Sequence, residues 1–224
     1  MRNLLSGMFI AAAISFPAVL AKADTIQVYS TGMLTSLTQQ ADGLADLHYA
    51  LLSAPAGATA GSAFVTDQSG YPFPIWAADD ASSKWISPQP SYTLGQTDLP
   101  GQYVYQTSFS LSGLNPRTAS LSLQIATDNA TTDVLLNGIS TGITYSGLTT
   151  KSAPFTISSG FVAGLNTLTF VTQNFDGDNT NPTGINVQIS GTADSAAPEP
   201  STAALVFGGV ALAAIGIFRR KVSA

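Results

Sequence analysis

From Tyr103 to Leu111 the chain alternates. Tyr103, Tyr105, Phe109 and Leu111 carry large apolar side chains at odd positions, and mostly small or polar residues stand between them. A period of two places one set of side chains in a core and the other in solvent, so the segment predicts a half-buried β-strand. The same pattern recurs where Leu121, Leu123 and Ile125 alternate with Ser120, Ser122 and Gln124. It recurs again where Ile185, Val187 and Ile189 alternate with Asn186, Gln188 and Ser190. Further strands are predicted over Thr25–Tyr29, Leu47–Leu52, Ala63–Thr66, Asp133–Leu136, Ala153–Ile157 and Thr167–Thr172. Asn137-Gly138 follows one of these directly and marks a two-residue hairpin, whose turn needs φ > 0 at both central positions. No helical period is sustained between residues 24 and 197, and Gly, Pro, Asn and Asp punctuate the short runs. About nine or ten such strands predict an all-β domain, an antiparallel β-sandwich of jelly-roll type.

The two ends read differently. Arg2 precedes an apolar stretch from Leu4 to Leu20, and Ala21-Lys22-Ala23 has the small-x-small form of a signal-peptidase site, so residues 1–23 are expected to be a signal peptide. Near the other end, Pro198-Glu199-Pro200 is followed by an uninterrupted apolar run over residues 203–218 and then Arg219-Arg220-Lys221. As a helix that run would reach about 24 Å at the usual rise per residue, a little short of a hydrocarbon core of about 30 Å. The basic triplet is expected to stay cytoplasmic as a stop-transfer tail, which leaves the preceding domain outside. The organisation predicted is thus a signal peptide (1–23), a β-domain (24–193), a small polar spacer (194–197) and a sorting segment (198–224) with a membrane-spanning helix over about 203–218.

This tail resembles the PEP-CTERM sorting signal of Gram-negative bacteria, also known as an ice-binding protein C-terminal domain, from Pro198 through Lys221. The resemblance implies recognition by an exosortase, a membrane-embedded transpeptidase that cuts at or near Pro198-Glu199-Pro200. Before processing, the helix would hold the protein in the cell-envelope membrane; afterwards it would reach the cell surface or the extracellular exopolysaccharide matrix. A second resemblance covers the middle of the chain. It rests on Ser30-Thr31-Gly32, Asp46 to Leu51, Trp85-Ile86-Ser87-Pro88, Tyr103-Val104-Tyr105, Leu135 to Gly138, Gly160 to Leu168 and Pro182 to Ile185. This succession is similar to bacterial surface modules of galactose-binding-like jelly-roll form that often carry such tails. It implies fold and export, and no site residues.

Charge alters the picture of partners. The whole chain of 224 residues has 8 Lys+Arg against 13 Asp+Glu. Five of the basic residues lie in the terminal segments, so residues 24–197 keep twelve Asp against Lys84, Arg117 and Lys151, a net charge of −9. Without clustered cations, nucleic acid is excluded as a partner, because phosphate neutralisation needs them. With no Cys there is neither a disulfide scaffold nor a thiolate site.

Candidate chemistry is sparse. Glu199 is the only Glu and His48 the only His. A carboxylate pair would have to come from Asp residues, and a Ser-His-Asp triad would need His48 as its base. A non-enzymatic structural or adhesive role is therefore expected, with a glycosidase or other hydrolase as the alternative. Asp176-Gly177-Asp178 gathers oxygen ligands of the kind Ca²⁺ takes, without the spacing or bidentate Glu of an EF-hand. A solvated turn is the simpler reading of Asp176 and Asp178, and no cofactor is expected. Asp128-Asn129 with Asp133 reads as a second acidic turn. For ligands, Tyr71, Phe73, Trp76, Trp85 and Tyr92 share a Pro-rich stretch. Trp76, Trp85 and Tyr92 are candidates to stack on sugar rings of an exopolysaccharide if their faces are exposed, and core residues if they are not.

Overall fold

The computed structural model describes residues 23–175 and 181–196. The described residues contain eleven strands and no helix: β1 (Ala23–Thr25), β2 (Ala45–Ser53), β3 (Gly61–Val65), β4 (Ile86–Ser87), β5 (Gly101–Ser110), β6 (Ser120–Leu136), β7 (Ile139–Ser140), β8 (Tyr145–Gly147), β9 (Phe155–Ile157), β10 (Leu165–Asn174) and β11 (Gly184–Asp194). The all-β class is as the alternation predicts, and every pairing between named strands is antiparallel. The ladder runs β11-β4-β3-β2-β5-β10-β6, and β6 then pairs back with β11, closing a ring of seven strands. Closure removes the free edges that an open sheet would present.

The closure depends on β6, which is 17 residues long. Its first half pairs with β11, from Ser120 opposite Thr192 to Asp128 opposite Gly184. Its second half pairs with β10, from Ala130 opposite Gln173 to Leu136 opposite Leu168. Thr131 faces Thr172 and Asp133 faces Val171, so Thr132 is an extra residue in a bulge. One extra residue reverses the side-chain phase. Accordingly Leu121, Leu123, Ile125 and Thr131 point inward before the bulge, and Val134 and Leu136 after it. The Asp128…Asp133 segment is therefore no acidic turn but a bend inside one strand. Its turn-like residues sit where the strand passes from one neighbour to the next.

Inside the ring, Tyr103, Tyr105 and Phe109 of β5 meet Leu121, Leu123 and Ile125 of β6, Leu168 and Phe170 of β10, and Ile185 and Val187 of β11. Thr25–Tyr29 is a strand only as far as Thr25; Ile26 and Val28 remain buried against the core, and the Ile26 N–H still donates to the Gly191 carbonyl at 2.9 Å. Ala23, the last residue of the expected signal peptide, opens β1 opposite Asp194. Within the expected spacer, Asp194 ends β11, Ser195 bridges to Leu114, and the Ala196 N–H donates to the Gly113 carbonyl at 2.9 Å. The ladder thus reaches further toward the tail than the composition implies.

Asn137 and Gly138 make the predicted two-residue turn, with φ of 53° and 79° and Leu136 paired with Ile139 across it. A Cβ at Gly138 would meet nothing within 4 Å, so the cost of a side chain there is backbone strain alone. Gly138→Val should lower stability by about 1–2 kcal/mol, whereas Gly138→Asn should cost less; a urea denaturation midpoint for each variant checks the ranking.

Candidate functional site

The Pro-rich stretch folds over one end of the ring. The Phe73 N–H donates to the Gly70 carbonyl at 3.0 Å and the Ile75 N–H to the Pro72 carbonyl at 2.8 Å, so two consecutive tight turns carry Trp76 inward. There its ring stacks on Trp85, centroids 4.2 Å apart and planes 27° from parallel. Phe73 and Tyr92 present edges to the same ring at 5.9 and 6.4 Å. Gly184 of β11 makes the approach possible, because a Cβ there would lie 2.7 Å from Trp76 Cη2 and 2.8 Å from the Ile86 carbonyl oxygen.

This arrangement corrects the expectation of a sugar-stacking platform. Trp76 is 1% exposed, Trp85 0% and Tyr92 4%, and the two indole faces are spent on each other. Their polar edges are also satisfied internally. Trp76 Nε1 donates to Asp128 Oδ2 at 2.7 Å, Trp85 Nε1 to the Ala77 carbonyl at 2.8 Å, and the Tyr92 hydroxyl to Asp98 Oδ2 at 2.6 Å. A domain without disulfides needs large apolar anchors, and these three are anchors.

Buried carboxylates frame the cluster. Burial raises the Asp128 pKa to about 6, against the pull of the Trp76 N–H and with a further push from Asp98. Burial also raises Asp79 to about 7; the Trp85 backbone N–H it accepts at 2.8 Å offsets part of that, and its Oδ2 has no partner. Around Asp79 two lysines act as ties. Lys84 pairs with Asp42 and donates to the Gln40 carbonyl at 3.1 Å. Lys151 pairs with Asp80 at 2.7 Å and donates to Ser83 Oγ at 2.5 Å, and Ser83 Oγ in turn donates to Asn186 Oδ1 at 2.6 Å. Two of the domain's three cations are thus committed to holding residues 79–84 against the ring.

Two concave surfaces accompany this end and side of the ring. One, about 470 Å³, runs between residues 73–78 and Thr149. The other, about 370 Å³, lies on the outer face of β2, β3 and β5 and contains His48, Ser62, Gln106 and Ser108. His48 stacks flat on Tyr29, centroids 3.7 Å apart and planes 7° from parallel, and burial lowers its pKa. The carboxylate a triad would require is engaged elsewhere. Asp46 accepts the backbone N–H groups of His48 and Tyr49 at 2.7 and 2.9 Å and that of Gly32 at 2.6 Å. Among the described residues His48 Nε2 has no hydrogen-bond partner, so neither Ser62 nor Ser108 donates to it.

A Gly-x-Ser-x-Gly string that sequence reasoning passed over, Gly138 to Gly142, lies in the β6–β7 hairpin rather than in a strand-to-helix elbow. Its exposed Ser140 donates to Asp133 Oδ1 at 2.8 Å. Asp176 and Asp178, the tail residues Pro198, Glu199, Pro200, Arg219, Arg220 and Lys221, the expected helix over 203–218, and Ala21 lie outside the described residues.

The fold and site together define an all-β protein built on a closed antiparallel ring, with an aromatic cluster sealed beneath a Pro-rich cover. No known protein family matches the chain, and no curated protein matches it. Among solved structures, a Podospora anserina GH26-CBM35 β-(1,4)-mannanase is similar at 13% identity and a TM-score of 0.23. The similarity covers 80% of this chain and 29% of that one, and is too slight to carry fold or function over.

Proposed function

We propose that this is an exported bacterial protein of the cell surface or extracellular matrix, sorted through its PEP-CTERM-like tail, with a structural or adhesive role that includes exopolysaccharide binding. The observation that carries the reading is the order Pro198-Glu199-Pro200, apolar run 203–218 and Arg219-Arg220-Lys221, preceded by the Ala21-Lys22-Ala23 processing site at the other end. The β-domain between them belongs to this reading as a flattened jelly-roll sandwich, in which β6 turns the corner between layers. Its acidity is in keeping with a neutral polymer as partner, since Lys84 and Lys151 are tied to Asp42 and Asp80 rather than free for an anionic one.

The test is the C-terminus of the native protein. Mass spectrometry of the chain recovered from the cell surface or matrix should find it ending between Pro198 and Ser201. Recovery with Arg219-Arg220-Lys221 still attached would overturn the sorting reading.

A further inference from the structure

We infer that the groove between the Pro-rich cover and Thr149 binds a short segment of a neutral glycan, an assignment that rests on the exopolysaccharide part of the reading above. The groove holds about 470 Å³, within the range of small-ligand clefts. It is lined by Phe73, Pro74, Ile75 and Trp76 of the Pro-rich cover, together with Gln68 and Thr149. Ile75 is 56% exposed although it immediately precedes Trp76, which is 1% exposed. Phe73 is only partly buried, and its ring meets Trp76 at 77° rather than face to face. A sugar ring has this mixed character. Its C–H face packs on aromatic and aliphatic carbon, while its hydroxyls need donors and acceptors at the rim. Thr149 is exposed, and the Gln68 side chain accepts the Asp79 N–H at its Oε1 at 3.3 Å, which leaves its amide N–H groups for a ligand.

The groove is formed in advance of binding. The Ala77 N–H donates to the Leu148 carbonyl at 2.7 Å, locking the two walls together, and the turns at Gly70–Phe73 and Pro72–Ile75 fix the apolar wall. Preformed walls reduce the ordering cost that a weakly held polymer must overcome. Charge selects the kind of glycan. None of the lining residues is charged, and Asp67, a carboxylate with a lowered pKa, adjoins Gln68 at one end of the lining. A polyuronate or sulfated polymer would meet like charge there, whereas a neutral polymer would not.

The experiment is affinity electrophoresis of the full chain through gels containing a soluble neutral β-glucan or mannan, with alginate as the anionic comparison. The parent should be retarded by a neutral polymer and not by alginate. Phe73→Ala should weaken that retardation at least tenfold. Ile75→Ser, at an exposed position, should weaken it several-fold with unchanged circular dichroism and melting temperature. Leu47→Ser, in the other concavity, should bind as the parent does. If the parent is retarded and Phe73→Ala and Ile75→Ser are retarded equally, this groove is not the site, while exopolysaccharide binding stands. Retardation by alginate alone, or by none of the three polymers, overturns the neutral-glycan inference. The sorting reading is judged apart from it by the native C-terminus.

Discussion

Trp85→Ala should lower the thermal midpoint by about 10 °C or more, the largest effect expected of any single truncation in the domain. Trp85 is fully buried, stacks on Trp76, and donates its indole N–H to the Ala77 carbonyl. Its removal loses the transfer free energy of the ring, leaves a cavity that the ring of strands cannot collapse to fill, and orphans a carbonyl. Large aromatic-to-alanine changes of this kind cost about 3–5 kcal/mol. For a domain of this size each kcal/mol corresponds to about 2–4 °C. Trp76→Phe separates packing from hydrogen bonding: it keeps a stacked ring but takes the N–H from Asp128, a buried carboxylate, and should cost about 1–3 kcal/mol. Calorimetry on both variants is decisive. A Trp85→Ala protein that melts within a few degrees of the parent would mean that the cluster does not anchor the cover.

Where side chains alternated on one continuous face, the sequence revealed the strands. Tyr103 to Leu111 announced β5, and Ile185 to Ser190 announced β11, because a period of two has no other economical meaning. β4 could not be seen, since Ile86–Ser87 is too short to show a period, although it joins β3 to β11 and is needed to close the ring. The unity of β6 was hidden for a different reason. The bulge at Thr132 reverses the apolar phase, and Asp128-Asn129 is turn chemistry, so one bent strand reads as two. The aromatic cluster was half legible. Composition brought Phe73, Trp76, Trp85 and Tyr92 together, but a Trp that packs in a core and a Trp that stacks on sugar are the same letter. Only the partners distinguish them, and Asp128 lies 52 residues from Trp76. The groove was wholly illegible, because Thr149 comes to it from a separate loop. His48 was read correctly as belonging to a strand, but its stacking on Tyr29 depends on a chain reversal that no local pattern records.

The domain should also be more stable at pH 5 than at pH 8, and two carboxylates should account for most of the difference. Asp79 and Asp128 have folded-state pKa values raised from 3.8 to about 7 and about 6, mainly by burial. A raised pKa means that the folded chain holds a proton that the unfolded chain has released. The resulting stabilisation is fully present below pH 3.8 and is lost as pH rises through about 6 for Asp128 and about 7 for Asp79. Between pH 5 and 8 the loss is about 1 kcal/mol for Asp128 and about 3 kcal/mol for Asp79. Asp46, also raised by burial, adds in the same direction. His48 opposes them: its lowered pKa gives stability present above 6.5 and lost as pH falls, but it is one group against three. Below about pH 4 the trend reverses, because Asp67 and Asp80 are lowered and lose their stabilising contacts on protonation. The urea midpoint measured from pH 4 to 8 should therefore fall with rising pH. Asp79→Asn should flatten that slope more than Asp128→Asn does, even though Asp128 is the more deeply buried of the two. The ordering follows from the environments: Asp128 keeps the Trp76 N–H as a partner for its charge, while Asp79 leaves one oxygen with none. A slope unchanged in Asp79→Asn would show that Asp79 is ionised throughout and that Lys84 and Lys151 compensate its burial.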